Sequence, residues 1–152
     1  MKDVIVKVLK EIDFAQIYQN LCNQYNNFDN GMNFNKNEIN NILNSNNISL
    51  DFSSKEKSFY KDYYLFEVTV RFTMTYKQGF IECFYTIWNE DNSNRILGRF
   101  NSIAMLQDLD FNSSVKHKFP IATSLKDLNN ILTIILKLHC DFIKKLQMEL
   151  NM

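Results

Sequence analysis

From Tyr64 to Lys77 the chain alternates without a break: Tyr64, Phe66, Val68, Val70, Phe72, Met74 and Tyr76 fall on one side, Leu65, Glu67, Thr69, Arg71, Thr73, Thr75 and Lys77 on the other. A period of two over that length predicts a strand with one buried face. Gln78-Gly79 suits a tight turn, because glycine adopts positive φ freely, and Phe80 to Trp88 reads as the returning strand. With Gln78 and Gly79 at the centre of the turn, Lys77 opposes Phe80, and Tyr76, Met74, Phe72 and Val70 face Ile81, Cys83, Tyr85 and Ile87. Every apolar residue then meets an apolar partner, and a slip of one residue would send one set to the other face. Phe72 is expected in the core and Arg71 outside it. A lone hairpin does not recover its ordering entropy, roughly 1–2 kcal/mol per residue, so its apolar face needs a cover.

The ends of the chain supply that cover. Leu125, Leu128, Ile131, Leu132, Ile135, Leu138, Phe142 and Leu146 form one stripe of a long helix from about Leu125 to Leu150, with Ser124 as cap and Asp127 in its first turn. Lys2 to Tyr25 reads as helix on a stripe from Ile5 and Leu9 to Leu21 and Tyr25. Asp13 and Gln16 resemble a capping box at which it restarts, and the β-branched Val4, Ile5, Val6 and Val8 keep a short strand open as an alternative. Between them, Asn35 and Glu38 signal a short helix over about 36–44, and Ile48, Leu50 and Phe52 a strand before a charged bend at Lys55-Glu56-Lys57. After a polar turn from Asn89 to Asn94, Arg95 to Phe100 is a further strand, Ser102 to Gln107 a short helix, and Val115 to Ile121 a last strand that Pro120 confines to an edge. The fold class is therefore α+β: one domain over 1–152, with an antiparallel sheet of about four to five strands centred on the 64–88 hairpin and packed against N-terminal and long C-terminal helices.

Charge and chemistry narrow the function mostly by exclusion. Lys plus Arg equals Asp plus Glu at 17 each, so no global field gathers nucleic acid or an anionic membrane. The three cysteines, Cys22, Cys83 and Cys140, lack metal or disulfide spacing and fit reduced thiols in a cytoplasmic protein. Charges interrupt every apolar run before it reaches membrane-spanning length. Gly31, Gly79 and Gly98 make no phosphate loop, and Asp29-Asn30-Gly31 lacks the acidic ligands of a calcium loop, so no cofactor and no metal are expected. His139-Cys140-Asp141 are consecutive helical residues that diverge by about 100° and cannot relay a proton among themselves; His139 is expected half-buried at the margin of its stripe, and His117, between Lys116 and Lys118, solvated. Glu82 and Glu90 lie roughly 26 Å apart on an extended strand, too far for a glycosidase pair. No catalytic residue is assigned. The enzymatic alternative needs a pocket at His139, or at His117 with Asp108 and Asp110.

The outer face of the hairpin is the remaining feature, with Phe80, Phe84 and Trp88 beside Arg71 and a row of threonines. Such a stripe is either packed under the amino-terminal helix, the commoner outcome, or offered to a partner. The order Phe84-Tyr85-Thr86-Ile87-Trp88, Gly98-Arg99-Phe100-Asn101-Ser102-Ile103, then Phe119-Pro120-Ile121-Ala122-Thr123-Ser124-Leu125 leading into a long helix resembles small bacterial α+β proteins of the toxin-immunity type. That resemblance implies a non-enzymatic cytoplasmic protein that binds and blocks a cognate toxin; the neutral charge argues against a nuclease target. The partner-binding residues expected are Glu82, Phe84, Trp88, Glu90, Asp91 and Arg71, and the partner is another protein. A small-ligand or enzymatic domain, and a homo-oligomerising structural subunit, are the alternatives.

Overall fold

The computed structural model describes residues 1–89 and 94–151, with the backbone alone at 94–96. In chain order the elements are α1 (Lys2–Glu11), α2 (Phe14–Gln24), a 3-10 turn η1 (Phe28–Asn30), α3 (Lys36–Ser45), β1 (Asp51–Ser53), β2 (Ser58–Leu65), β3 (Val68–Lys77), β4 (Phe80–Asn89), β5 (Asn94–Arg99), α4 (Phe100–Met105), η2 (Phe111–Ser113) and α5 (Leu125–Leu150). The five strands form an antiparallel meander in the order β1-β2-β3-β4-β5. This is an α+β fold.

The central hairpin has the expected register: Lys77 faces Phe80, Met74 faces Cys83, Phe72 faces Tyr85 and Val70 faces Ile87. Gln78 (φ 53°) and Gly79 (φ 83°) both take the left-handed conformation that a two-residue turn of this twist requires. The turn is also locked from outside. Gly79 O accepts from Ala122 N, and a Cβ at Gly79 would come within 2.5 Å of Ala122 O.

The upstream part of the alternation is not one strand. Phe66 and Glu67 form a second two-residue turn, pairing Leu65 with Val68, Tyr63 with Val70 and Tyr60 with Thr73. An even-length turn reverses direction while keeping its flanking residues on one face, so Leu65 joins Val68 in the core. Tyr64 and Phe66, expected there, are 78% and 74% exposed. Phe66 holds φ 54°, a conformation that costs a side chain with Cβ roughly 1–2 kcal/mol.

The helices cover one face. Phe72, Tyr85 and Ile87 share a single core cluster with Phe14, Tyr18, Phe100, Ile135 and Phe142, and His139 stacks on Phe72 and Tyr85. The Phe100 ring sits 5.4 Å from Tyr85 and 5.1 Å from Phe14, and Phe142 stacks 4.7 Å from Tyr85. The amino-terminal helices therefore lie on this inner face and not over the outer stripe. The reason is the stripes themselves: Ile5, Val8 and Leu9, with Phe14, Tyr18 and Leu21, find deeper apolar burial against α4 and α5 than the threonine-rich face offers.

Helix ends follow local signals with informative exceptions. Asn35 and Glu38 make the reciprocal capping box of α3, and Ser124 caps α5 by accepting from Asp127 N. Residues 3–9 are helix. Asp13 makes no cap; it sits in the left-handed region (φ 56°) as the hinge between α1 and α2. Phe100 opens α4 two residues before the expected start because its ring is needed in the core. Leu125, at the first position of α5, is 49% exposed. Strand β1 is shorter than expected, with Ile48 and Leu50 packed against the core outside it. The expected strand at 115–121 reduces to one bridge, Phe80 with Ile121, because Pro120 offers only its carbonyl, which accepts from Ile81 N.

Candidate functional site

No described α-helix ring contact reaches the outer face. One end is covered by η1 and the 115–121 segment, where Phe28 and Phe119 lie 4.4 and 5.5 Å from Phe80. The His117 ring lies tilted 4.2 Å from Phe28, with its Nε2 buried and without a hydrogen-bond partner, so it is packed rather than solvated as expected. Beyond Phe80 the stripe opens, and Phe84, Thr86 and Trp88 are partly exposed.

The strand pairing assembles the centre of this face. Asp62 opposes Arg71, Tyr60 opposes Thr73, and Trp88 opposes Thr69 one diagonal step from Arg71. Arg71 donates from Nε to Asp62 Oδ1 at 2.6 Å and from Nη2 to Oδ2 at 2.9 Å, a bidentate pair. Its guanidinium lies 4.7 Å from the Tyr60 ring and 5.2 Å from the Trp88 ring. Two aromatic faces and one carboxylate thus hold one cation, and the Asp62 hydrogen bond raises the guanidinium's already high pKa further. Between this group and the β2–β3 turn lies an open depression of about 430 Å³, lined among others by Tyr64, Phe66, Glu67 and Asn89.

The structure brings together two of the expected site residues, Arg71 and Trp88. Glu82 and Phe84 lie on the same face but nearer its covered end, where Glu82 pairs with Arg99 Nε at 2.5 Å. Glu90 and Asp91 lie outside the described residues. Missing from the sequence reading were Tyr60, Asp62, Tyr64 and Phe66, all brought by β2 or its turn. Their signal was the alternation of Tyr60, Asp62 and Tyr64 against Phe59, Lys61, Tyr63 and Leu65, which only becomes legible once a turn is placed at Phe66-Glu67.

The inner face carries a second polar cluster. His139 is wholly buried rather than half-buried, with Tyr63 Oη 2.8 Å from Nε2 and Tyr85 Oη 2.6 Å from Nδ1. Its ring stacks on Phe72 at 4.0 Å. The Tyr85 hydroxyl is buried and has this one partner, so its proton goes to Nδ1, and Nε2–H then donates to the Tyr63 oxygen. Burial, and then the charge of Lys61, lower the His139 pKa to about 3, and burial raises Tyr63 to about 12. Burial thus keeps His139 neutral and Tyr63 protonated near neutrality.

Other reactive groups are scattered. Cys22 and Cys83 are buried, and burial raises both thiols, Cys22 to about 12. Asp141 pairs with Lys137 one turn back, and Asp108 accepts from its neighbour Asp110 N. Among the described residues no three His, Cys, Asp or Glu side chains could hold a metal ion, and no described helix is long and apolar enough to cross a membrane. Comparison with family models, with curated proteins and with solved structures gave no match.

Proposed function

We propose that this protein is a non-enzymatic binding module of the immunity type, which neutralises a toxin in the cytoplasm by occupying it with the open outer face of its sheet. The observation that carries the reading is the Arg71 group: a guanidinium held between Tyr60 and Trp88 by a bidentate Asp62, on a face that the helices leave open. Trp, Tyr and Arg are the residue types that dominate interface energetics, and here the guanidinium is already engaged by a carboxylate and two rings, which lowers the ordering cost of binding. Exposed Tyr64 and Phe66 extend the surface on one side. Glu82 and Phe84 extend it on the other, and Glu90 and Asp91, outside the described residues, follow Trp88 and Asn89 in the sequence.

The test is co-expression with the product of the neighbouring reading frame, followed by titration calorimetry of the purified pair. Trp88→Ala with Arg71→Ala is expected to weaken that complex by 2 kcal/mol or more, about thirtyfold, while Leu125→Ala, at the exposed first position of α5, leaves it unchanged. An unchanged affinity in the double variant, with its fold intact by circular dichroism, removes this face from the function.

A further inference from the structure

Strand β2 has eight residues, but β1 covers only Ser58 to Tyr60. Which backbone groups remain follows from the antiparallel ladder. The tight turn makes Leu65 and Val68 a hydrogen-bonded pair, so Leu65, Tyr63 and Lys61 direct N–H and C=O toward β3, while Tyr64, Asp62 and Tyr60 direct theirs to the opposite edge. The next hairpin gives the same parity: Lys77 and Phe80 close its turn, so odd-numbered residues of β3 face β4 and even-numbered ones face β2. The outward groups of Tyr60 meet Asp51 of β1. Those of Asp62 and Tyr64 have no hydrogen-bond partner among the described residues.

Lys61 and Asp62 are the charged residues of this stretch; beyond them it has no proline and no bulge, its register with β3 is continuous, and the neighbouring Tyr64 and Phe66 side chains stand out in solvent. We infer that it receives an extended segment of the partner protein as an added strand beside Asp62 and Tyr64, in line with β1. The inference rests on the reading of the outer face as a protein-binding surface and adds how the partner is held: backbone to backbone at the edge, with alternate side chains delivered over the Arg71 group. Arg71 and Asp62 neutralise each other in their bidentate pair, which leaves Glu67 as the exposed carboxylate beside the open stretch, so the outward-facing side chain of the added strand is basic. Its inward-facing neighbours run along Tyr63 and Leu65 and are apolar.

Random octapeptides displayed on phage and selected on the intact protein, then resynthesised for binding, test this. Tyr64→Pro deletes the edge N–H without touching the ladder to β3; Tyr64→Ala deletes the same side chain and keeps the N–H. The expected peptides carry Lys or Arg among alternating apolar residues, protect the Tyr64 amide from hydrogen exchange, and bind Tyr64→Pro at least tenfold more weakly than Tyr64→Ala. If Tyr64→Pro does not fold, amide protection in the unaltered protein decides alone. Failure to enrich any peptide, equal binding to both variants, or protection elsewhere overturns the inference. So does a concentration-dependent dimer that Tyr64→Pro abolishes, since the occupant would then be a second copy. Loss of the toxin complex in Trp88→Ala with Arg71→Ala, but not in Tyr64→Pro, would remove the edge and leave the binding face standing.

Discussion

Arg71 and Phe72 are neighbours on β3 that point to opposite faces, and each anchors a polar group built by the same three strands. On the inner face Tyr63, Phe72 and Tyr85 enclose His139. On the outer face Tyr60, Asp62 and Trp88 enclose Arg71. The first group is sealed by α5, and the low dielectric there keeps its imidazole neutral. The second stays wet and charged, because a guanidinium can be held by rings and a carboxylate while its edge remains in water. Similar ring-lined surroundings thus give a sealed, neutral group on one side and an open, charged one on the other, and the difference is whether a helix covers them.

The largest expected effect sets those faces apart most sharply. Phe72→Asp puts a carboxylate under His139 and Tyr85 and is expected to abolish cooperative thermal unfolding; a cooperative melt in that variant would overturn the assignment of the inner face. Next comes acid. The unfolded chain binds a proton at His139 near pH 6.5 and the folded chain only near about 3, so the unfolded state holds more protons throughout that window. Stability is therefore full above about pH 6.5 and falls by about 1.4 kcal/mol per unit as pH drops, toward a total of about 5 kcal/mol. Urea titrations of His139→Gln should lack that part of the slope; an identical slope would mean that other groups carry the acid sensitivity.

Outer-face changes should be gentler. Arg71→Ala loses a half-exposed pair and two ring contacts, about 1 kcal/mol after solvent screening, and salt should shrink the difference between variant and parent. A loss as large as that of an inner-face truncation would show that Arg71 serves the fold more than recognition. The smallest effect has the opposite sign: Phe66→Gly relieves left-handed strain and should raise stability by about 0.5–1 kcal/mol in denaturant melts, while weakening partner binding. Phe66 at positive φ is otherwise an unexplained cost, and a site that keeps such a residue exposed is expected to use it.

Much of this molecule was legible in advance where short-range pattern and local chemistry agreed. Period two and Gln78-Gly79 specify one register between them, and Asn35 with Glu38, like Ser124, names a helix start because the cap is made within four residues. The β2–β3 turn was not legible, because Leu65-Phe66-Glu67-Val68 contains no Gly, Asn or Asp and the apolar rhythm runs across it, so one long strand and two short ones spell the same alternation. Half of the Arg71 group was lost with that turn.

The sequence by itself determined the fold class, the central register and the two faces of β3, since these depend on spacing along one or two adjacent segments. Only the tertiary structure decided which face the amino-terminal helices would cover, that His139 would be sealed between two tyrosines, and that Asp62 and Tyr60 would reach Arg71. Those outcomes depend on competition among apolar surfaces far apart in the chain. The amino-terminal helices gain more from burial against α4 and α5 than over the threonines, and a comparison of burial energies between distant segments is written in no single stretch of residues.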